Sequence, residues 1–291
     1  MKRRLYKEDL AFVSLLKACG KKKDVQEGIL LHSSVAKKGL LERSPYVGSS
    51  LISMYAKCGM IAKARNVHDE LRARRLASWN ALIVGYAQQG YSHDALDCLD
   101  RMRNECIPLN AITYSGVLKA CGDIGLIGKG RRIHEEIVSI DLLEKSIVVG
   151  NALVDMYAKC GIMSEAQQVL EGLPIRDVIS WSTLMARYTQ LCGHGHKALN
   201  CFERMQTEGL SPDAFTLSCA LKACGSIGDL HKGKQIHDDI IMKDGLLKKN
   251  TVLGTALVDM YAKCGMLEKA QQLHDELYAP DVISWSALIS G

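Results

Sequence analysis

The chain has 291 residues, 47% of them hydrophobic, and its 37 basic and 32 acidic residues leave a formal charge of +5. This mild basicity permits a polyanionic partner without requiring one, and no apolar run is long enough to cross a bilayer, so no membrane partner is expected. The 11 cysteines include no CxxC pair, which argues against a structural zinc site, and the chain is too long and apolar for a small disulfide scaffold.

Three phrases recur in a fixed order about a hundred residues apart. GSSLISMYAKCG (48–59) returns as GNALVDMYAKCG (150–161) and GTALVDMYAKCG (254–265). LKACG and a Ser-Trp pair keep the same spacing, and such periodicity is typical of a repeat array. The phrases divide the chain into units at residues 9–44, 45–75, 76–110, 111–146, 147–177, 178–213, 214–250 and 251–281, with a partial unit at 282–291.

Each unit is predicted to contain two helices. In the unit 76–110 the pattern predicts a helix over about 78–89, a stop at Gly90 and a second helix over 95–103. In the unit 147–177, Ser164 is expected to cap the second helix. No stretch shows strand alternation. The prediction is therefore an all-α fold, a right-handed superhelical α-solenoid of stacked helix-turn-helix hairpins.

Positions 2, 5, 9 and 13 of each first helix lie on one narrow stripe, because successive members are three or four residues apart. Position 2 of the unit is apolar, at Leu10, Tyr46, Ala77, Ile112, Val148, Ile179, Phe215, Val252 and Ile283. Position 5 is mostly small and polar, at Ser49, Asn80, Ser115, Asn151, Ser182, Ser218, Thr255 and Ser286. Position 13 is lysine in the short units, at Lys57, Lys159 and Lys263. An apolar group, a hydrogen-bonding group and a cation match the base, base edge and phosphate of a nucleotide. A solvated helix face would give the same pattern.

The phrases NALVDMYAKCG, SWNALIVGYAQQG, GVLKACGDIGLIGKGRRIH and MQTEGLSPD resemble the pentatricopeptide repeats of plants. The alternation of long, short and middling units resembles the PLS class of organellar RNA-editing specificity factors. The resemblance covers residues 9–291. It implies single-stranded organellar RNA as partner, one base per repeat, and a role in organellar RNA processing, most of all C-to-U editing, in the mitochondrion or alternatively the chloroplast.

The resemblance also implies residue roles. The fifth and last residues of a repeat select the base, in the pairs Asn80 with Asn110, Asn151 with Asp177, Ser182 with Asp213, Ser218 with Asn250, and Thr255 with Asp281. Position-2 residues clamp the base, at Ala77, Ile112, Val148, Ile179, Phe215, Val252 and Ile283. The position-13 lysines Lys57, Lys159 and Lys263 contact phosphate. The family's code then gives 5′-Y-N-U-G-(A)-G-3′ for residues 76–281, while Val13 and Arg75 leave the first two units unassigned.

No catalytic site is predicted, and no cofactor or metal. H-x-E occurs at His68–Glu70, His134–Glu136 and His274–Glu276, but no P-C-x-x-C completes a deaminase zinc site, so these histidines are assigned to helix surfaces. The pair His194 and His196 is assigned to a loop. Because the sequence stops at Gly291 within a phrase, we expect a fragment lacking a C-terminal editing or deaminase extension, with a deaminase or accessory factor acting in trans. The alternative function is a helical-repeat scaffold for protein–protein interaction.

Overall fold

The computed structural model describes residues 7–191, 193–242, 250–276 and 285–286. Within those ranges it contains 18 helices and no strand. The first helices of the units are Lys7–Lys22, Pro45–Lys57, Leu76–Gln88, Ala111–Asp123, Ile147–Lys159, Val178–Gln190, Ala214–Ile227 and Thr251–Lys263. The second helices are Val25–Lys37, Ile61–Glu70, Ser92–Asn104, Ile127–Ser139, Met163–Gly172, Gly195–Thr207, Leu230–Met242 and Leu267–Glu276. Two of the long units end in an additional short helix, Leu40–Arg43 and Leu142–Lys145.

The ends of the helices follow from local chemistry. The first helix of the unit 147–177 ends at Lys159, and Gly161 takes the left-handed conformation, φ 79°, that residues other than glycine adopt at a cost. The predicted cap at Ser164 is wrong. The backbone after Gly161 turns so sharply that Ile162 already occupies the N-cap and accepts from the Ala166 N–H at 3.1 Å, which leaves Ser164 inside the helix.

Residues 1–161 form one compact unit. Its five first helices pack in succession, each on the next, and each second helix packs on the first helix of its own repeat where the two belong to this unit. The side of the first helices opposite the stripe supplies the core, because Leu51, Tyr55, Trp79, Ile83 and Val117 are all buried. Burying a large apolar side chain stabilises by about 1.5–3 kcal/mol, so this core holds the hairpins together.

Residues 162–291 form the second compact unit. Val178–Gln190, Ala214–Ile227 and Thr251–Lys263 pack in succession there, and the second helices lie against them. Trp181, Leu184 and Leu221 on first helices and Phe202 on a second helix are buried. The same phrases thus build the same core in both units.

One contact brings two helix backbones unusually close. A β-carbon built on Gly85 would lie 2.5 Å from the β-carbon of Ala56 in the preceding first helix, whereas one built on Gly128 would meet nothing within 4 Å. Only hydrogen at Gly85 permits this approach of Leu76–Gln88 to Pro45–Lys57.

The repeated cysteines are part of these helix contacts. Cys19, Cys121 and Cys224 are buried, and Cys160 is half-buried. Burial raises the pKa of the Cys121 thiol to about 11, so the thiol stays protonated at neutral pH. In the described part of the chain, the repeated cysteines therefore act as small apolar side chains.

Two of the histidines assigned to helix surfaces are in fact buried. His68 is 0% exposed and His274 is 2% exposed. The ring of His68 lies 4.4 Å from that of Trp79 in an edge-on arrangement, and His274 meets Trp285 in the same way at 4.3 Å. The assignment failed because the tryptophan that covers each ring belongs to the next repeat.

His68→Leu is expected to remove part of the acid sensitivity of the fold. Burial lowers the pKa of His68 below its ordinary 6.5, against the opposing effect of Asp69, whose Oδ1 lies 3.5 Å from Nδ1; Arg74 and Arg101 lower it further. The folded chain therefore keeps His68 neutral while the unfolded chain protonates it below pH 6.5, so stability falls as the pH drops from 6.5 through the lowered pKa. Leucine is a compatible replacement, since Leu170 occupies the equivalent sequence position and is buried.

The measurement is the free energy of unfolding in urea at pH 7.5, 6.5 and 5.5 for both proteins. His32 and His237, whose pKa values are also lowered by burial, contribute equally to both curves. Two parallel curves would show that His68 is not held neutral by the fold.

Candidate nucleic-acid interface

Every described position-2 side chain is exposed. Ile112, Ile179 and Phe215 are 52%, 61% and 54% exposed, although the opposite side of each of their helices is core. The remaining members share this exposure, at Leu10, Tyr46, Ala77, Val148 and Val252. Single exposed apolar residues are ordinary, but the same register in every described unit forms a regular series. The predicted clamp at Ile283 lies outside the described residues.

The position-5 side chains of the predicted base-selecting pairs lie beside this series and are more deeply placed. Asn80, Ser182, Ser218 and Thr255 are buried, and Asn151 is half-buried. The hydroxyl of Ser182 donates to the Ile179 carbonyl at 3.2 Å, and that of Thr255 donates to the Thr251 carbonyl at 2.9 Å. The Ser182 hydroxyl oxygen consequently retains lone pairs as an acceptor.

The last residue of a unit is the N-cap of the next first helix. Asn110, Asp177, Asp213 and Asn250 each accept from the backbone N–H three residues further on, at 3.1, 2.8, 2.8 and 3.2 Å. Three of them form capping boxes, with Thr113, Ser180 and Thr216. The sequence analysis missed this role, although the spacing N-x-x-T, D-x-x-S and D-x-x-T would have indicated it.

One predicted pair is joined directly. Nδ2 of Asn80 donates to Oδ1 of Asn110 at 3.1 Å, and the Thr113 hydroxyl donates to Oδ1 of Asn80 at 2.7 Å. In the described residues, no hydrogen bond joins Ser182 to Asp213. The two members of the Asn151 and Asp177 pair belong to different compact units. The partner of Thr255, Asp281, lies outside the described residues.

The three lysines predicted to contact phosphate differ in their surroundings. Lys159 pairs with Asp123 at 2.8 Å and Asp155 at 2.7 Å; burial works against its charge, but these hydrogen bonds raise its pKa on balance. Lys263 pairs with Asp259 at 2.8 Å. Lys57 is exposed and has no ion pair within the described part of the chain. The sequence signal is the residue four positions earlier, which is aspartate for two of the lysines and Ser53 for Lys57.

The assignment of the His194 and His196 pair to a loop is wrong for His196. The helix Gly195–Thr207 begins immediately after His194, whose carbonyl accepts from the Ala198 N–H at 3.2 Å. Gly195 lets this helix begin close to Ser226, because a β-carbon there would lie 2.5 Å from the Ser226 hydroxyl oxygen. Searching the described residues finds no cluster of three His, Cys, Asp or Glu side chains suited to a metal. None of the described helices is both long and apolar enough to span a bilayer.

A chain of helical hairpins in which each hairpin packs on its neighbours along the sequence is an α-helical repeat protein. The model of the PPR repeat family matches residues 75–123 and 176–226, and a PPR repeat model matches residues 49–76 and 255–278. The chain belongs to the pentatricopeptide repeat family.

Curated relatives come from Arabidopsis thaliana. A chloroplastic pentatricopeptide repeat-containing protein is 36% identical over 96% of this chain and 44% of its own length. A mitochondrial one is 36% identical over 96% of this chain and 27% of its own length. The chain therefore spans less than half of either relative.

Solved structures share the fold. The pentatricopeptide repeat protein PPR10 in complex with an 18-nt psaJ RNA element superposes with a TM-score of 0.71, at 20% identity, over 91% of this chain and 39% of that chain. A crystal structure of PPR10 from maize gives a TM-score of 0.61, at 22% identity, over 96% of this chain and 46% of that chain. The predicted all-α helical-repeat fold is thereby confirmed.

Proposed function

We propose that this chain binds single-stranded RNA along the position-2 and position-5 series and acts as a specificity factor in organellar RNA processing. The observation that carries the proposal is the exposed apolar side chain at position 2 in every described unit, set beside polar groups at position 5 and at the N-cap. Apolar side chains sandwich a base, and polar groups select its edge. PPR10, a protein of the same fold, has been solved in complex with an RNA element, which supports RNA as the ligand.

Selection of one base per repeat follows from the polar pairs. In the unit 178–213 the carboxylate of Asp213 and the oxygen of Ser182 are acceptors, which suit the N1–H and amino group of guanine. In the unit 76–110 the pair Asn80 and Asn110 suits a pyrimidine. Because a single base contact contributes only about 1–3 kcal/mol of discrimination, specificity accumulates along the array.

The cellular role rests on the relatives and on the repeat pattern. The names of the two relatives place one in the chloroplast and one in the mitochondrion. The alternation of long, short and middling units is that of the PLS class, which favours C-to-U editing in the mitochondrion, with the chloroplast as alternative. The chain would hold the transcript, and a deaminase or accessory factor in trans, or a further part of the protein, would supply the chemistry.

Binding to the RNA 5′-CAUGAG-3′, against a shuffled RNA of equal composition, tests the proposal at two salt concentrations. The expected result is tighter binding of the ordered RNA, with Asn151→Thr shifting the preference at its third nucleotide from U to G by roughly tenfold, the value of one good base contact. The unchanged preference at the fourth nucleotide, read by Ser182 and Asp213, is the internal control.

Salt-sensitive binding without sequence preference would show that the surface binds RNA only non-specifically, through its basic residues. Absence of RNA binding in the chain that folds normally would refute the proposal and return the protein-interaction scaffold as the better explanation.

A further inference from the structure

We propose that Thr113, the third residue of the unit 111–146, is a specificity-determining positioning residue for base selection by the preceding unit, 76–110. Its hydroxyl fixes which end of the Asn80 amide is available to a base, and it thereby selects cytosine over uracil. The inference rests on the proposed function and deepens it, because the pair Asn80 and Asn110 by itself specifies only a pyrimidine.

The first step fixes the orientation of the Asn110 side chain. Oδ1 of Asn110 accepts from the Thr113 backbone N–H at 3.1 Å as the N-cap of Ala111–Asp123. A backbone N–H only donates, so the amide atom facing it must be the oxygen. The amide nitrogen of Asn110 therefore lies on the other branch, away from the helix start.

The second step fixes the orientation of the Asn80 side chain. The Asn80 atom that lies 3.1 Å from the Asn110 oxygen must be the nitrogen, because two carbonyl oxygens would repel each other there. The oxygen of Asn80 then lies 2.7 Å from the Thr113 hydroxyl, which donates to it. Thr113 has one hydroxyl hydrogen, and the alternative acceptor, Oδ1 of Asn110, is farther away at 3.0 Å.

The third step follows from the atoms that these bonds leave over. The Thr113 hydroxyl takes one of the two lone pairs of the Asn80 oxygen, and the helix start and Asn80 take both lone pairs of the Asn110 oxygen. What remains is one acceptor lone pair on Asn80 against three N–H donors, one on Asn80 and two on Asn110. Cytosine presents two adjacent acceptors, N3 and O2, whereas uracil carries a hydrogen on N3, so a pair in which donors outnumber acceptors favours cytosine.

Comparison with the unit 178–213 shows why Thr113 is special. Thr216 caps with Asp213 in the same way, its hydroxyl lying 2.5 Å from Oδ1, and its backbone N–H donates to that oxygen at 2.8 Å. A carboxylate has two equivalent oxygens, so its orientation carries no information about donors and acceptors. The Thr216 hydroxyl also makes no described bond to Ser182, the other member of that pair. Thr216→Val is therefore a matched control for Thr113→Val.

The test uses the full chain and four RNAs, 5′-XAUGAG-3′, in which X is A, C, G or U. The wild type is expected to prefer C over U at X. Thr113→Val, which keeps the side-chain shape and removes the hydroxyl, is expected to reduce that preference by roughly threefold to tenfold, the value of one hydrogen bond. Thr113→Ser should restore it. Thr216→Val should change neither the preference at X nor the preference for G at the fourth nucleotide.

The outcomes separate this inference from the proposed function. If the wild type binds RNA in order and Thr113→Val leaves the ratio of C to U unchanged, or weakens all four RNAs equally, Thr113 has only a structural role and the inference fails alone. Equal binding of C and U by the wild type overturns it too. Absence of RNA binding by the wild type would contradict both the proposed function and the inference about Thr113. Urea unfolding of the two valine variants checks that they have lost comparable stability.

Discussion

Gly85→Ala is expected to destabilise the chain by about 1–3 kcal/mol, the usual cost of overpacking a tight contact. The added methyl would lie 2.5 Å from the β-carbon of Ala56. Neither methyl can rotate away, so the helices Leu76–Gln88 and Pro45–Lys57 must separate, which loosens the packing between them. Urea unfolding followed by circular dichroism measures the loss.

Gly128→Ala is the control for this substitution. Gly128 also lies inside a helix, Ile127–Ser139, but a β-carbon there meets nothing within 4 Å. Alanine is favoured over glycine by about 1 kcal/mol in a helix interior, so the control should gain up to that amount. A Gly85→Ala variant as stable as Gly128→Ala would mean that the two first helices are not in close contact.

Ile179→Ala is expected to weaken RNA binding roughly fivefold to thirtyfold, since removal of three carbons forfeits about 1–2 kcal/mol of apolar burial against a base. Ile179 is 61% exposed in the free chain, so its truncation should leave the stability of the protein nearly unchanged. The expected loss applies to RNAs of any sequence, because an apolar clamp has no base edge to read. Equilibrium binding to the ordered and shuffled RNAs measures both effects.

Ile175→Ala is the matched control. Ile175 has the same side chain, is 67% exposed and lies four residues earlier, outside the position-2 series. Its truncation should leave the RNA affinity unchanged. Equal effects of the two substitutions on binding would contradict a specific role for position 2.

The fold could be predicted because the same helix-forming and helix-ending residues recur in every repeat of the sequence. The phrase ending in Lys-Cys-Gly carries both a helical pattern of apolar residues and a glycine stop, and the structure ends the first helix there each time. Helix bounds shifted by only a few residues, as for the predicted helix over 78–89, which is Leu76–Gln88. Local chemistry sufficed for these features because each repeat contacts only its neighbours.

What could not be predicted depends on contacts between repeats. The burial of His68 requires Trp79, which belongs to the following unit, and a hydropathy pattern within one helix assigns a histidine to the surface. The three lysines have equivalent positions in the sequence, yet in the described residues only Lys159 pairs with an aspartate of the preceding first helix, Asp123. The bond between Asn80 and Asn110 likewise crosses from the middle of one first helix to the start of the next.

Under the proposed function, the N-cap role of the last residue limits which residues can select a base at that position. Asparagine, aspartate and serine cap a helix about equally well, whereas replacing them with alanine costs about 1 kcal/mol. Exchange of Asn110 for aspartate, or of Asp213 for asparagine, would thus change the hydrogen-bonding face of the cap at almost no cost to the fold. Under the proposed function, a base preference could therefore change among these capping residues at almost no cost in stability, whereas a residue that cannot cap at that position would destabilise the helix.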